Sequence, residues 1–317
     1  MNKTRFIADL KAGTELQAEP FLLHDVVRRQ SKDGRPFLLA TLRDRSGQIS
    51  GVFWDVPLTV DVWARPGLGV LVSGKVNTYK DAIQVNISGL ERANGLDMTA
   101  FLPASPRPAA EMLVELRDHV AALNDPWQTL AAYLLLEGPL AERFARVPAA
   151  RGMHHAYVGG LLEHTVSMAA LARHLARHYP YVNLNVLLCG ALLHDFGKAE
   201  EYTLEEGFGR SDDGRLVGHI VRGVVLIERA AAELSFPAAE LQELVHLIVS
   251  HHGTHEWVSP VVPRTQESVL LHQLDLLDRR VGGYMDHVRN DPGPGSWTTK
   301  RSDMFGTELR RPNYDVS

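Results

Sequence analysis

The 317-residue sequence predicts a multidomain α and β chain, a small β-barrel followed by an all-α region. Three observations predict it. Residues 20–93 alternate apolar and polar with a period of two, as half-buried strands do. From about residue 109 apolar residues recur three and four positions apart, the helical period. Between the two, "ANGLDMTAFLPASPRPAAEM" supplies a glycine and three prolines, a linker composition.

The strand region comes first. "PFLLATLRDRSGQISGVFW" holds two alternating runs around "DRSGQ", a glycine-containing hairpin connection. Leu38, Ala40 and Leu42 share one face, and Phe37, Leu39 and Thr41 the other. "LGVLVSGKVNTYKDAIQVNISGL" repeats the pattern with "TYKD" as its turn. About five short strands in roughly 75 residues suggest a closed barrel of the OB-fold type. Phe53 and Trp54 alternate faces, so one should be core and the other outward. Expected boundaries are 1–95 for the barrel, 96–108 for the linker, 109–290 for the helical domain and 291–317 for a partly ordered, Pro/Gly-broken tail.

The helical segments are "EMLVELRDHVAAL", "WQTLAAYLLL", "GLLEHTVSMAALARHLARHY", "NLNVLLCGALLHD", "HIVRGVVLIERAAAEL", "AAELQELVHLIVSHH" and "ESVLLHQLDLLDRRVGGYM". A hydrophobic content of 45% with 22% charged residues is that of an ordinary globular protein. The single Cys189, inside an apolar run, excludes an intramolecular disulfide and reads as a core thiol. The start has no apolar stretch of signal-peptide type and no run approaches a bilayer-spanning length, so the expected setting is a reducing cytoplasm without membrane attachment. A net charge of −5 weighs against nucleic-acid binding driven by bulk charge, but bound cations could offset carboxylates locally.

Metal-capable residues sit on the apolar stripes of these helices. Leu161, His164, Met168, Leu171 and Leu175 follow one face. Leu187 and Ala191 lead to His194, and Leu188 and Leu192 to Asp195. Leu244, Leu247 and Ile248 lead to His251 and His252, while Leu271 leads to Asp275 and His219 opens a further helix. A single inward histidine is more often a satisfied core residue than a ligand. Several histidines and two aspartates in one domain would each need a separate partner, whereas one or two divalent cations satisfy them together. Imidazole and carboxylate without thiolate suit Mn²⁺, Fe²⁺, Co²⁺, Ni²⁺ or Zn²⁺.

The order His164, His194-Asp195, His219, His251/His252, Asp275 resembles the HD-domain superfamily of metal-dependent phosphohydrolases, and "HDFGK" matches its "HD-x-GK" signature. More narrowly, "MHHAYVGGLLEHTVSMA", "LLHDFGKAEEYT", "LVGHI" and "SHHG" after a small barrel resemble the YhaM family of 3′→5′ exoribonucleases, over about residues 15–290. The resemblance implies an OB-fold followed by an HD domain that hydrolyses single-stranded RNA, with single-stranded DNA left open, to nucleoside 5′-monophosphates using water activated at two metals. It implies that His164, His194, Asp195 and Asp275 hold one metal. Asp195 would bridge to a second held by His219 with His251, His252 or both. Mn²⁺ is the expected ion. Asp195, Lys198 and His219 form the expected catalytic group, with Lys198 directed at phosphate or, alternatively, merely solvated at a helix end.

Other candidates have plainer alternatives. His154 and His155 could contact substrate or simply cap a helix. Arg210 and Arg215 could clamp phosphates, although loop arginines are more often solvated. Glu163 could support a ligand or be an exposed carboxylate, Asp278 is an alternative ligand, and His174 and His178 should face solvent. In the barrel Phe37, Trp54 and Tyr79 could stack bases, each worth about 1–3 kcal/mol if used. Arg28, Arg29, Lys32, Arg35, Arg43, Lys75 and Lys80 could follow a phosphate backbone. Competing readings are a phosphohydrolase of free or cyclic nucleotides and a nucleic-acid-binding adaptor with a structural metal. Homo-oligomer formation is open.

Overall fold

The computed structural model describes all residues except 1, 2, 4, 32, 81, 98, 99, 151–154, 205–208, 292 and 314–317. The chain divides into two units, residues 1–104 with 203–209, and residues 105–202 with 210–317.

The first unit is a five-stranded closed barrel of strands β1 (Glu15–Gln30), β2 (Pro36–Asp44), β3 (Gly47–Trp54), β4 (Gly69–Tyr79) and β5 (Ala82–Arg92), in the order β1-β2-β3-β5-β4. β3 and β5 pair in parallel and all other neighbours are antiparallel. The sequence places the first strand at residue 20, but β1 begins at Glu15 and its first half pairs with β4, its second with β2. Register shifts at Leu16/Glu19 and Leu23/Asp25 give this 16-residue strand the bends that closure needs. At the Ser73/Gly74 shift a Cβ on Gly74 would lie 2.2 Å from the Asn86 carbonyl oxygen, so only glycine fits. Alternating residues such as Phe21, Leu23, Leu38, Leu42, Val70, Val72, Val76 and Val85 fill the interior. A four-residue helix, α1 (Leu58–Asp61), links β3 to β4.

The second unit contains α2 (Ala109–Ala121), α3 (Trp127–Ala132), α4 (Ala141–Arg146), α5 (Gly160–His178), α6 (Leu184–Leu193), α7 (Lys198–Glu201), α8 (Asp212–Leu216), α9 (His219–Glu233), α10 (Ala238–Ser250) and α11 (Gln266–Asn290). α6 is the central helix. The Asn183 side chain caps it by accepting from the Asn185 and Val186 amides, and every residue from Val186 to Leu193 is buried. It packs on α3, α5, α10 and α11, which is why "LNVLLCGALL" is apolar on all sides. Burial pushes the Cys189 thiol up, so it stays an inert core group. Among the described residues no helix is long and apolar enough to cross a membrane.

After α11 the buried Asp291 carboxylate accepts from the amides of Gly293, Thr299 and Lys300 and from the Thr299 hydroxyl. Arg311 donates to it and to the Val288 carbonyl, so the described residues up to Arg311 of the segment expected to be partly ordered fold back onto the end of α11. Burial alone would raise the Asp291 carboxyl, but these donors hold it below the usual carboxylate range.

Candidate metal centre

The HD pair lies just beyond α6 rather than on it. His194 ends the helix, with its amide bonded to the Gly190 carbonyl, and a tight turn brings the Lys198 amide back to the Asp195 carbonyl. The turn fits because Gly197 abuts α9: a Cβ there would lie 2.0 Å from the His219 carbonyl oxygen. His251 likewise follows the last residue of α10. Both pairs thus occupy helix C-termini, where unpaired carbonyls favour a cation.

The predicted ligands converge. His164 Nε2 lies 3.1 Å from His194 Nε2, 3.7 Å from Asp195 Oδ2 and 3.5 Å from Asp275 Oδ1. The other oxygen, Asp195 Oδ1, lies 3.4 Å from His219 Nε2 and 3.7 Å from His251 Nε2. The His252 ring is 4.4 Å from that of His251 and 5.4 Å from that of His219, between centroids. His219, His251 and His252 form one potential ligand group, and His164, His194 and Asp195 another. Asp195 faces both with different oxygens.

The imidazoles are oriented in common. Their Nδ1 atoms meet Asp278 (His164), the Ala191 carbonyl (His194), Glu201 (His219), the Ile248 carbonyl (His251) and the Trp257 carbonyl (His252), at 2.7–3.0 Å. Each acceptor fixes the proton on Nδ1 and leaves an Nε2 lone pair available for coordination. Asp195 Oδ1 and His219 Nε2 are buried without a hydrogen-bond partner. Two unmet polar atoms at that separation fit a divalent cation better than an apolar core.

Burial would raise the Asp195 carboxyl, yet Lys198 and then His194 hold it well below the usual carboxylate range. Burial, reinforced by neighbouring imidazoles, pushes His251 well down and His252 down to about 4, and burial also lowers His164. These rings are therefore neutral at pH 7, as ligands must be. His194 is raised because Asp195 outweighs its burial.

Other predicted residues are placed differently from the ligands. Lys198 Nζ is bonded to Asp195 Oδ2 at 2.5 Å and so is engaged by the carboxylate instead of standing clear. Arg210 Nε pairs with Glu201 at 2.9 Å, and Arg215 is exposed on α8. His155 meets the Tyr157 hydroxyl at 2.6 Å through Nδ1 and lies 3.5 Å from Asp278 through Nε2. His154 lies outside the described residues. Glu163 accepts from Tyr157 at 2.9 Å and Ser105 at 2.5 Å, and His174 and His178 are exposed. Asp278 Oδ2 lies 2.7 Å from His164 Nδ1, and His155, His164 and Asp278 form a third group of side chains that could hold a metal ion. Phe37 and Trp54 form a cross-strand pair with ring centroids 4.6 Å apart, and Trp54 is 53% exposed while Phe53 is buried. Tyr79, also exposed, ends β4, which β5 separates from β3. Arg28 and Arg35 are tied to Asp61 and Asp55, and Lys32 lies outside the described residues.

Sequence reading missed Glu201 and Tyr157. Glu201 is 3% exposed and accepts from both the Nδ1 and the backbone amide of His219. Its only signal was a carboxylate in "HDFGKAEEY", close behind the HD pair.

Residues 161–280 match the family described as HD domain, and residues 23–93 the one described as OB-fold nucleic acid binding domain. Residues 105–182 also match a family whose description names a helicase. Fold and family matches together define the class: an OB-fold followed by an HD-domain phosphohydrolase, an enzyme that hydrolyses phosphodiester bonds. Three similar proteins are each named 3′-5′ exoribonuclease YhaM. That of Bacillus subtilis is 32% identical over 287 residues, covering 90% of this chain and 91% of the relative. That of Bacillus licheniformis is 33% identical over 288 residues, covering 90% and 91%. That of Listeria innocua is 32% identical over 298 residues, covering 93% and 94%. The chain belongs to the YhaM family of 3′-5′ exoribonucleases.

Proposed function

We propose that the protein is a metal-dependent 3′→5′ exoribonuclease that releases nucleoside 5′-monophosphates from single-stranded RNA. The observation that carries the reading is Asp195, whose two oxygens face two separate groups of Nε2 atoms. His164, His194, Asp195 and Asp275 would hold one divalent cation; Asp195, His219, His251 and His252 would hold a second, with Mn²⁺ as the proposed ion. Bound there, divalent cations supply Lewis acidity, lowering the pKa of water and offsetting charge on phosphate oxygens.

The chain's own residues do the rest. Nδ1 acceptors lock each imidazole's tautomer and direction, and Lys198 keeps Asp195 ionised. Burial of His164, His194, Asp195, His251 and Asp275 strengthens the electrostatic contacts among them. On the barrel, Phe37 and Trp54 offer a sequence-tolerant surface for bases. Single-stranded DNA is a second proposed substrate, and a reducing cytoplasm the proposed setting.

The test is full-length protein with Mn²⁺ and end-labelled single-stranded RNA, with a chelated control and parallel DNA and cyclic-dinucleotide reactions. Stepwise release of mononucleotides from the 3′ end only with metal is expected. No release from RNA, with turnover of the cyclic dinucleotide instead, would refute the RNA reading.

A further inference from the structure

Arg279 stands one helical turn beyond Asp275 on α11. Its Nε lies 3.3 Å from Asp275 Oδ2, while Oδ1 of the same carboxylate faces His164 Nε2 at 3.5 Å. A single carboxylate therefore links a guanidinium to the ligand cluster. Arg279 Nε is buried and makes no hydrogen bond, yet the side chain is 35% exposed. Its terminal nitrogens have no acceptor among the described residues. Among the described residues, Lys198 is committed to Asp195 and Arg210 to Glu201.

Only Nε is buried, so the terminal donors stay open to an incoming anion while Asp275 holds the guanidinium beside the cluster. A guanidinium offers paired N–H groups that match two oxygens of one phosphate. We infer that Arg279 binds a non-bridging phosphate oxygen of the substrate through its terminal N–H groups, next to the metal centre. Arg279 is then a substrate-binding residue, held in place by Asp275. This rests on the reading of the site as a phosphodiesterase centre.

Titration of full-length, Mn²⁺-loaded protein with adenosine 5′-monophosphate reads phosphate binding separately from hydrolysis. Arg279→Gln keeps most of the stem's packing, and Arg279→Lys keeps the charge without the fork. A lost charge-assisted hydrogen-bond pair should weaken nucleotide binding and raise the KM for RNA by ~10- to 100-fold in Arg279→Gln. Arg279→Lys should fall between, with kcat changed far less than KM. Mn²⁺ affinity, measured by calorimetry, should not weaken, because a positive charge beside a ligand has been removed.

Unchanged nucleotide affinity in Arg279→Gln, in a wild type that degrades RNA, overturns the inference alone. A parallel loss of Mn²⁺ affinity would show that Arg279 acts only through Asp275, and also overturns it. A wild type that binds the nucleotide but releases none from RNA would instead overturn the proposed exoribonuclease activity.

Discussion

Each unit buries a carboxylate at the heart of its fold, Asp44 in the barrel at 1% exposure and Asp195 in the helical unit at 3%. Asp44 is fully served by its neighbours: it accepts from the Ile7 amide at 2.8 Å and from the Ser46 amide and hydroxyl at 2.8 and 2.6 Å. Asp195 has Lys198 on one oxygen and no hydrogen bond on the other, which points at imidazole Nε2 atoms whose protons have been fixed elsewhere. Burial of a charge is thus not itself a sign of chemistry. The unmet acceptor, with lone pairs aimed at it from separate helices, is the sign.

The sharpest way to break this contrast is to neutralise both carboxylates in turn. Asp195→Asn should lower RNA hydrolysis by ~10³-fold or more, because one change disturbs both ligand groups and each ~1.4 kcal/mol is tenfold in rate. Asp44→Asn should leave the rate intact and lower stability by about 1–3 kcal/mol, the cost of spoiling a buried acceptor. Nucleotide release and denaturant titration on both variants read the two outcomes. Equal activity in the two would erase the distinction.

Glu201→Gln is expected next in size. It keeps the shape of the contact with His219 but removes the charge that orients the ring, and should cost ~10- to 100-fold in metal affinity or rate. Calorimetric titration of Mn²⁺ checks it. An unchanged affinity would reduce Glu201 to a capping role at the His219 amide.

How much of this was legible in the sequence follows from the same contrast. The barrel showed itself by period two and the helices by their apolar stripes, since both patterns report which side faces a core. The convergence of the candidate ligands was legible because a histidine or aspartate on an apolar stripe is conspicuous. What stayed hidden depends on where the chain turns. Extending the helical line to Asp195 aimed it correctly although α6 stops at Leu193; the turn beyond it, fitted by Gly197, has no periodicity to read. Glu201 is an ordinary polar residue whose partner His219 is distant in sequence, while Tyr157 and Arg279 meet near neighbours whose place beside the cluster appears only once the helices pack. The pairing of Lys198 with Asp195 was hidden for the same reason: spacing places a side chain within reach of several partners without choosing one.

On the barrel side, Trp54→Ala should raise the KM for RNA without touching metal affinity, since the indole is exposed and serves no core. A stacking contribution of about 1–3 kcal/mol corresponds to roughly 5- to 100-fold. Trp54→Phe should restore most of it. If hydrolysis of long RNA is indifferent to both, the Phe37–Trp54 pair is only a surface aromatic contact and the barrel's role must rest on other residues.

The smallest expected effect concerns pH and sharpens the contrast from the stability side. In chelated protein His164, His251 and His252 have lowered folded pKa values, that of His252 about 4, against an unfolded value near 6.5. Below 6.5 the unfolded chain therefore binds protons that the folded one refuses, and stability falls as pH drops from there toward 4. His194, raised by Asp195, opposes this, because its contribution is full at low pH and fades as pH rises through its folded value. The lowered rings outnumber the raised one, which leaves a net loss of stability, and a lower melting temperature, on acidification from pH 7 to 5. Adding Mn²⁺ should raise the melting temperature at pH 7 and do so less at pH 5, because protons compete for the same lone pairs. A metal-induced increase that is the same at both pH values would mean that the cation is held by carboxylates alone, and that the imidazoles, however well aimed, are not its ligands.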